Sequence, residues 1–93
     1  MKNVNKYQKK TCIFLTLEEY EEVLTHIFGT TIVVHTDLDG IWYETCPSRA
    51  DLINDDFENS INNHLAKHYD VKEVTSVHAD DCEKVGIWIA YKE

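Results

Sequence analysis

Apolar side chains recur at spacings of three and four through Leu17, Tyr20, Val23, Leu24, Ile27 and Phe28, a pattern that predicts one amphipathic helix. Thr16 before it, with Glu19 three residues on, forms the capping-box pair, and Gly29 after it supplies a left-handed stop. The pattern then changes. Two β-branched and apolar runs, Thr30 to Thr36 and Ile41 to Cys46, flank Asp37-Leu38-Asp39-Gly40, which reads as a hairpin around a tight turn. Strand side chains alternate, so Val34, Ile41 and Tyr43 are expected to face a core and Trp42 to point away from it. Pro47 closes that strand, and Ser48 or Asp51 is placed to cap a second, longer helix running to about Tyr69. Its apolar stripe is Ile53, Phe57, Ile61 and Leu65, joined by Leu52 and Tyr69. Val71 to His78 and Val85 to Tyr91 predict a second hairpin, in which Ile87, Ile89 and Tyr91 alternate with Gly86, Trp88 and Ala90.

The two halves echo one another. TIVVHTDLDGIWY over residues 31–43 returns in stretched form as VHADDCEKVGIWI over residues 77–89, each copy following a helical segment. Val-His, then Asp one residue on, then Gly-Ile-Trp after a loop, persist in both. The expected fold is therefore α+β: a duplicated helix-hairpin unit, αββαββ, with or without a short extra strand at Cys12 to Leu15. One antiparallel sheet with both helices on one face would bury the two stripes and leave Trp42 and Trp88 on the other.

Length admits one domain with a core of its own. The first ten residues, polar and lysine-rich, read as a flexible basic arm, with residues 11 to 93 as the acidic domain. Charge sharpens that division. Seventeen acidic residues face nine basic ones, for a net charge of -8, and Lys2, Lys6, Lys9 and Lys10 all fall in the arm. Between residues 11 and 66 the only basic side chain is Arg49. Such a body repels nucleic acid and anionic membranes and attracts basic partners. Without a signal peptide or a long apolar run, the expected compartment is the cytoplasm. Cys12, Cys46 and Cys82 form no CxxC pair, so free thiols are expected rather than a disulfide framework or a zinc knuckle.

Ile32 to Gly40, IVVHTDLDG, resembles the first motif of the haloacid-dehalogenase phosphohydrolases, an apolar strand followed by Asp-x-Asp-Gly. That resemblance would make Asp37 a nucleophile and Asp39 a general acid beside a magnesium ion. It covers nine residues, and the family's doubly wound parallel sheet conflicts with a second strand that comes immediately after. Asp-x-Asp-Gly is equally ordinary turn chemistry, with Asp accepting from the backbone and Gly taking positive φ. His64 and His68, four apart on the second helix, have a zinc-chelating spacing to which His35 with Asp37, or His78 with Asp80, would add ligands. Their position beside the helix stripe fits a structural role at least as well. Gly29, Gly40 and Gly86 stand alone and make no phosphate cradle. No catalytic residue, cofactor or metal is assigned.

Charge then carries the functional expectation: a non-enzymatic acidic protein that occupies the basic nucleic-acid-binding groove of a partner, as anti-restriction and anti-CRISPR inhibitors of similar size and charge do. Helical carboxylates three or four apart are separated by about 5–6 Å at Cβ, a scale comparable to neighbouring phosphates. The residues expected to present them are Glu18, Glu19 and Glu22 on the first helix and Asp51, Asp55, Asp56 and Glu58 on the second. Asp37, Asp39, Asp80 and Asp81 would add charge at the hairpin tips. The alternative places a homodimer or protein interface on the sheet face bearing Trp42 and Trp88.

Overall fold

A computed structural model describes residues 8–37, 40–80 and 83–92. Strand β1 spans Gln8–Thr16 and passes directly into helix α1, Leu17–Phe28. The junction is set by the expected capping box: Thr16 Oγ1 accepts from the Glu19 N–H at 3.1 Å, and Glu19 Oε1 accepts from the Thr16 N–H at 2.9 Å. Gly29, at φ 69°, ends the helix in the left-handed conformation with its N–H bonded to Thr25 O. β1 is longer than the short strand expected and takes in residues 8 to 10, inside the stretch assigned to the arm.

The first hairpin forms as expected, with β2, Ile32–Asp37, antiparallel to β3, Gly40–Thr45. The segment after β3 departs from the sequence pattern. No long helix begins at Ser48 or Asp51; Pro47–Leu52 is a 3-10 helix kinked at Arg49, and α2 spans only Phe57–His68. Asn54 is the reason. Its Nδ2 donates to Asp51 O at 3.2 Å and its Oδ1 accepts from the Asp56 N–H at 2.8 Å, a local turn that competes with helical bonding. Leu52 and Ile53 still pack against the core, but from this turn. At the other end α2 closes in a Schellman motif, Val71 N–H to Ala66 O and Asp70 N–H to Lys67 O, with Asp70 left-handed at φ 54°.

β4, Glu73–Asp80, and β5, Lys84–Lys92, make the second hairpin, and β1 pairs with the far side of β5. The strands therefore form two antiparallel sheets, a three-stranded β1-β5-β4 and a two-stranded β2-β3, in place of the single sheet expected. β3 and β4 run alongside one another at a seam without joining the sheets. One core unites them: Tyr20 and Leu24 of α1 and Phe57, Ile61 and Leu65 of α2 bury against Ile32, Val34, Val74, Val85, Ile87 and Ile89. Val74 and Val77, three apart, would face opposite sides of a regular strand. A bulge at Thr75 places both on the core face. Among the described residues no helix is long and apolar enough to cross a membrane.

Candidate functional site

Most of the expected acidic residues are exposed, but they do not share one surface. Glu18 and Glu22 are exposed on α1 and line a groove against β2 together with Glu21, Thr25, His26 and Val33. Glu19, also exposed, is held in the capping box. Asp51 and Asp55 lie in the 3-10 segment and the turn after it, so the expected strip of Asp51, Asp55 and Glu58 at helical spacing does not form. Asp56, just ahead of α2, accepts from Asn59 Nδ2 at 2.9 Å and lines a second groove with Asn62, Asn63, Lys72 and Glu73. Glu58 lines a third concavity, a cavity of about 150 Å³ at the seam with Tyr43, Ile61, Asn62 and Ser76. Asp37 Oδ1 accepts from the Gly40 N–H at 3.2 Å, and Asp80 ends β4 opposite Lys84. Asp39 and Asp81 lie outside the described residues. Asp51 to Glu58 are thus brought together by a short stretch of chain, while Glu18 and Glu22 belong to a separate groove.

Strand β2 is finished by a residue that the sequence does not single out. Glu21 Oε2 accepts from the Val34 N–H at 2.8 Å, and Thr25 Oγ1, one helical turn on, accepts from the Ile32 N–H at 3.1 Å. Two side chains of α1 thereby satisfy the outer edge of β2. The four-residue spacing of Glu21 and Thr25 is a faint signal, hidden among four glutamates in one stretch.

The outer sheet faces carry the aromatics. Cross-strand partners share a face, so His35 and Trp42 lie together on the two-stranded sheet, their rings stacked at 5.6 Å and 21°. His35 Nε2 also reaches Glu44 Oε1 at 2.8 Å. On the larger sheet His78 stacks on Trp88 at 6.4 Å and 24°. The pairing differs in detail: His35 is directly opposite Trp42, whereas His78 is opposite Gly86 and diagonal to Trp88. A register displaced by two keeps every side chain on its face, so the stack persists in the second hairpin. Trp42 is 47% and Trp88 37% exposed, and Phe14, opposite Gly86, is 54% exposed. Gly86 is enclosed between the His78 ring and the Cys12 thiol, since a Cβ there would meet His78 Cε1 at 2.5 Å and Cys12 Sγ at 3.0 Å. Burial pushes the Cys12 thiol up, and the negative charge of Asp80 adds to it.

Beneath this surface Tyr20 and Tyr43 join α1 to β3, their hydroxyl oxygens 2.8 Å apart. Burial lifts Tyr20 well above its ordinary range and raises Tyr43 to about 12, the Glu58 charge contributing to both. His64 and His68 are exposed. His64 Nδ1 bonds Ser60 O at 2.8 Å while its ring packs on Phe28, and His68 meets the rings of His26 and Tyr69. Among the described residues no group of three or more His, Cys, Asp or Glu is arranged to hold a metal ion. The strand of the phosphohydrolase-like motif is half of an antiparallel hairpin, not a member of a parallel sheet.

Fold and surfaces together define a compact α+β domain with antiparallel sheets, acidic grooves along its helices and paired aromatics on its outer sheet faces. Comparison with protein families, curated proteins and solved structures finds no match for this chain.

Proposed function

We propose that the protein is a non-enzymatic binding protein whose carboxylates occupy the basic groove of a partner that handles nucleic acid, in the manner of an anti-restriction or anti-CRISPR inhibitor. One observation carries this reading. Glu18, Glu22, Asp51, Asp55 and Glu58 are exposed and enter no ion pair among the described residues, in a stretch of chain where Arg49 is the only basic residue. Unneutralised surface charge projects over a Debye length of about 8 Å at physiological salt, and it steers a basic partner before contact. The test is competition. Restriction endonucleases and CRISPR effectors are screened with fluorescent duplex DNA at low and moderate salt, and the protein should displace DNA from its target with strongly salt-dependent affinity. Changing Asp51→Asn, Asp55→Asn and Glu58→Gln together should weaken that displacement at least about tenfold. Unchanged displacement by the neutralised variant would defeat the proposal.

A second reading is favoured by the recurrence of a His–Trp stack on both outer faces. It supports treating the two helix-hairpin halves as a duplication, and it makes Trp42 and Trp88 anchors for a protein partner. Under that reading Trp42→Ala abolishes partner capture while the acidic variant leaves it intact.

A further inference from the structure

The seam between the two sheets holds a cavity of about 150 Å³, walled by Ile41 and Tyr43 of β3, residues 75–77 of β4 and Glu58, Ile61 and Asn62 of α2. Among the described residues no ladder closes it, since β3 and β4 run side by side without joining. A cavity of that size takes a benzene-sized group and falls well below the roughly 300–1,000 Å³ of pockets for drug-sized ligands. One side chain would fill it. Half-buried Ile41 and Val77 on the strands and buried Ile61 on the helix make apolar walls, and among the described residues the one charge in the lining is the Glu58 carboxylate. Glu58 enters no ion pair among the described residues, and its charge reaches far enough inward to act on the buried phenols of Tyr20 and Tyr43.

We infer that this cavity is a socket for one lysine side chain of a protein partner, its methylenes against Ile41 and Val77 and its ammonium at Glu58 and Asn62. The inference rests on the reading of the protein as a binder of a basic partner, and it names the contact that anchors that partner. The lining selects the occupant. An anionic group would be repelled by Glu58, and a purely apolar side chain would cover the carboxylate without offering it a hydrogen-bond donor. Lysine brings four methylenes to the apolar walls and a compact charge with three donors to the Glu58 carboxylate and the Asn62 amide oxygen. Those two acceptors stand one helical turn apart on α2, an arrangement that a freely rotating ammonium meets more readily than the rigid planar fork of arginine. Binding energy concentrates where side chains are seated in pockets, so Glu58 differs in kind from Asp51 and Asp55, which line no part of this cavity.

Titration of the full chain with the capped tripeptide Gly-Lys-Gly, followed by NMR, tests this. The methyl groups of Ile41, Ile61 and Val77 and the side-chain amide of Asn62 should shift saturably, with a dissociation constant on the order of millimolar. The same peptide with norleucine or Nε-acetyl-lysine at its centre should bind about fivefold more weakly, and Glu58→Gln should weaken the lysine peptide to the same extent. Asn62→Phe, which fills the cavity without altering a charge, should abolish the shifts, while Asp51→Asn with Asp55→Asn should leave them in place. No nuclease enters the titration, so its result is separate from the competition with DNA: saturable lysine binding without displacement of DNA keeps the socket and removes only the nucleic-acid reading of the partner. Absence of a saturable shift at these methyls overturns the inference, as does norleucine binding as well as lysine, or Gly-Arg-Gly binding more tightly than Gly-Lys-Gly.

Discussion

Raising the pH should loosen the contact between α1 and the first hairpin, because part of that contact is a hydroxyl pair between two phenols that burial keeps neutral. Tyr20 is fully buried and its hydroxyl meets that of Tyr43 at 2.8 Å. Burial favours the neutral form of each, lifting Tyr43 from an ordinary 10 to about 12. Between those two values the unfolded chain has released a proton that the folded chain retains, so stability falls as pH rises. Below about pH 10 the contribution is fully present. Two units at about 1.36 kcal/mol each give about 2.7 kcal/mol from Tyr43, of which about 1.4 kcal/mol is gone by about pH 11. Tyr20 acts in the same direction and adds to the loss. Urea unfolding at about pH 8, 9.5 and 11 reads the effect against the double variant Tyr20→Phe, Tyr43→Phe. That variant keeps both rings and removes both hydroxyls together, so it should be nearly as stable as the parent at about pH 8. Either single change strands one buried hydroxyl and should cost about 1–3 kcal/mol. The parent should then lose stability relative to the double variant as pH climbs. Parallel pH profiles for the two proteins would refute the argument.

Thr16→Ala removes one arm of the capping box and should cost about 1 kcal/mol, measured by the same urea titration, with loss of helix at the junction of β1 and α1. Gly86→Ala forces the His78 ring aside, since the new Cβ would lie 2.5 Å from its Cε1. It should cost about 1–3 kcal/mol and, in a Trp42→Phe background where Trp88 is the one remaining tryptophan, shift the fluorescence as the stack opens. The DNA-competition test of the acidic residues completes the set.

The parts of this fold that are legible in the sequence are those whose causes are local. α1 is framed by Thr16, Glu19 and Gly29, all at or beside its own ends, and the first hairpin by two alternating strands close together in sequence, Asp37 pairing with Gly40. α2 is harder to bound, because the periodic apolar residues Leu52 and Ile53 do reach the core, yet the side chain of Asn54 diverts the backbone between them and Phe57. Pairing is less legible still. Nothing local makes a strand of Gln8 to Lys10; the ladder to β5 imposes it, through the distant partners Ala90, Tyr91 and Lys92. The division into two sheets likewise depends on whether β3 and β4 bond, which neither strand encodes alone. For the surfaces, composition locates the acidic residues but not their grouping, and it gives Glu21 no distinction from Glu22. One glutamate accepts from a strand edge and the other faces solvent. The outward tryptophans are legible from alternation; the repeated Val-His marks His35 and His78 as equivalent positions without pointing to the stacks they make.

The seam has a further consequence for how the domain opens. With no ladder joining β2–β3 to the other sheet, three polar ties hold this hairpin to α1: Tyr43 to Tyr20, Val34 to Glu21 and Ile32 to Thr25. Separation of α1 from the hairpin would therefore uncover the β2 edge that Glu21 and Thr25 now satisfy. Amides of β2 and of the middle of α1 should share one opening free energy, distinct from that of the β5-centred sheet. Whatever engages Trp42 on the hairpin's outer face would be felt on the opposite side of the hairpin, as added protection of the helix.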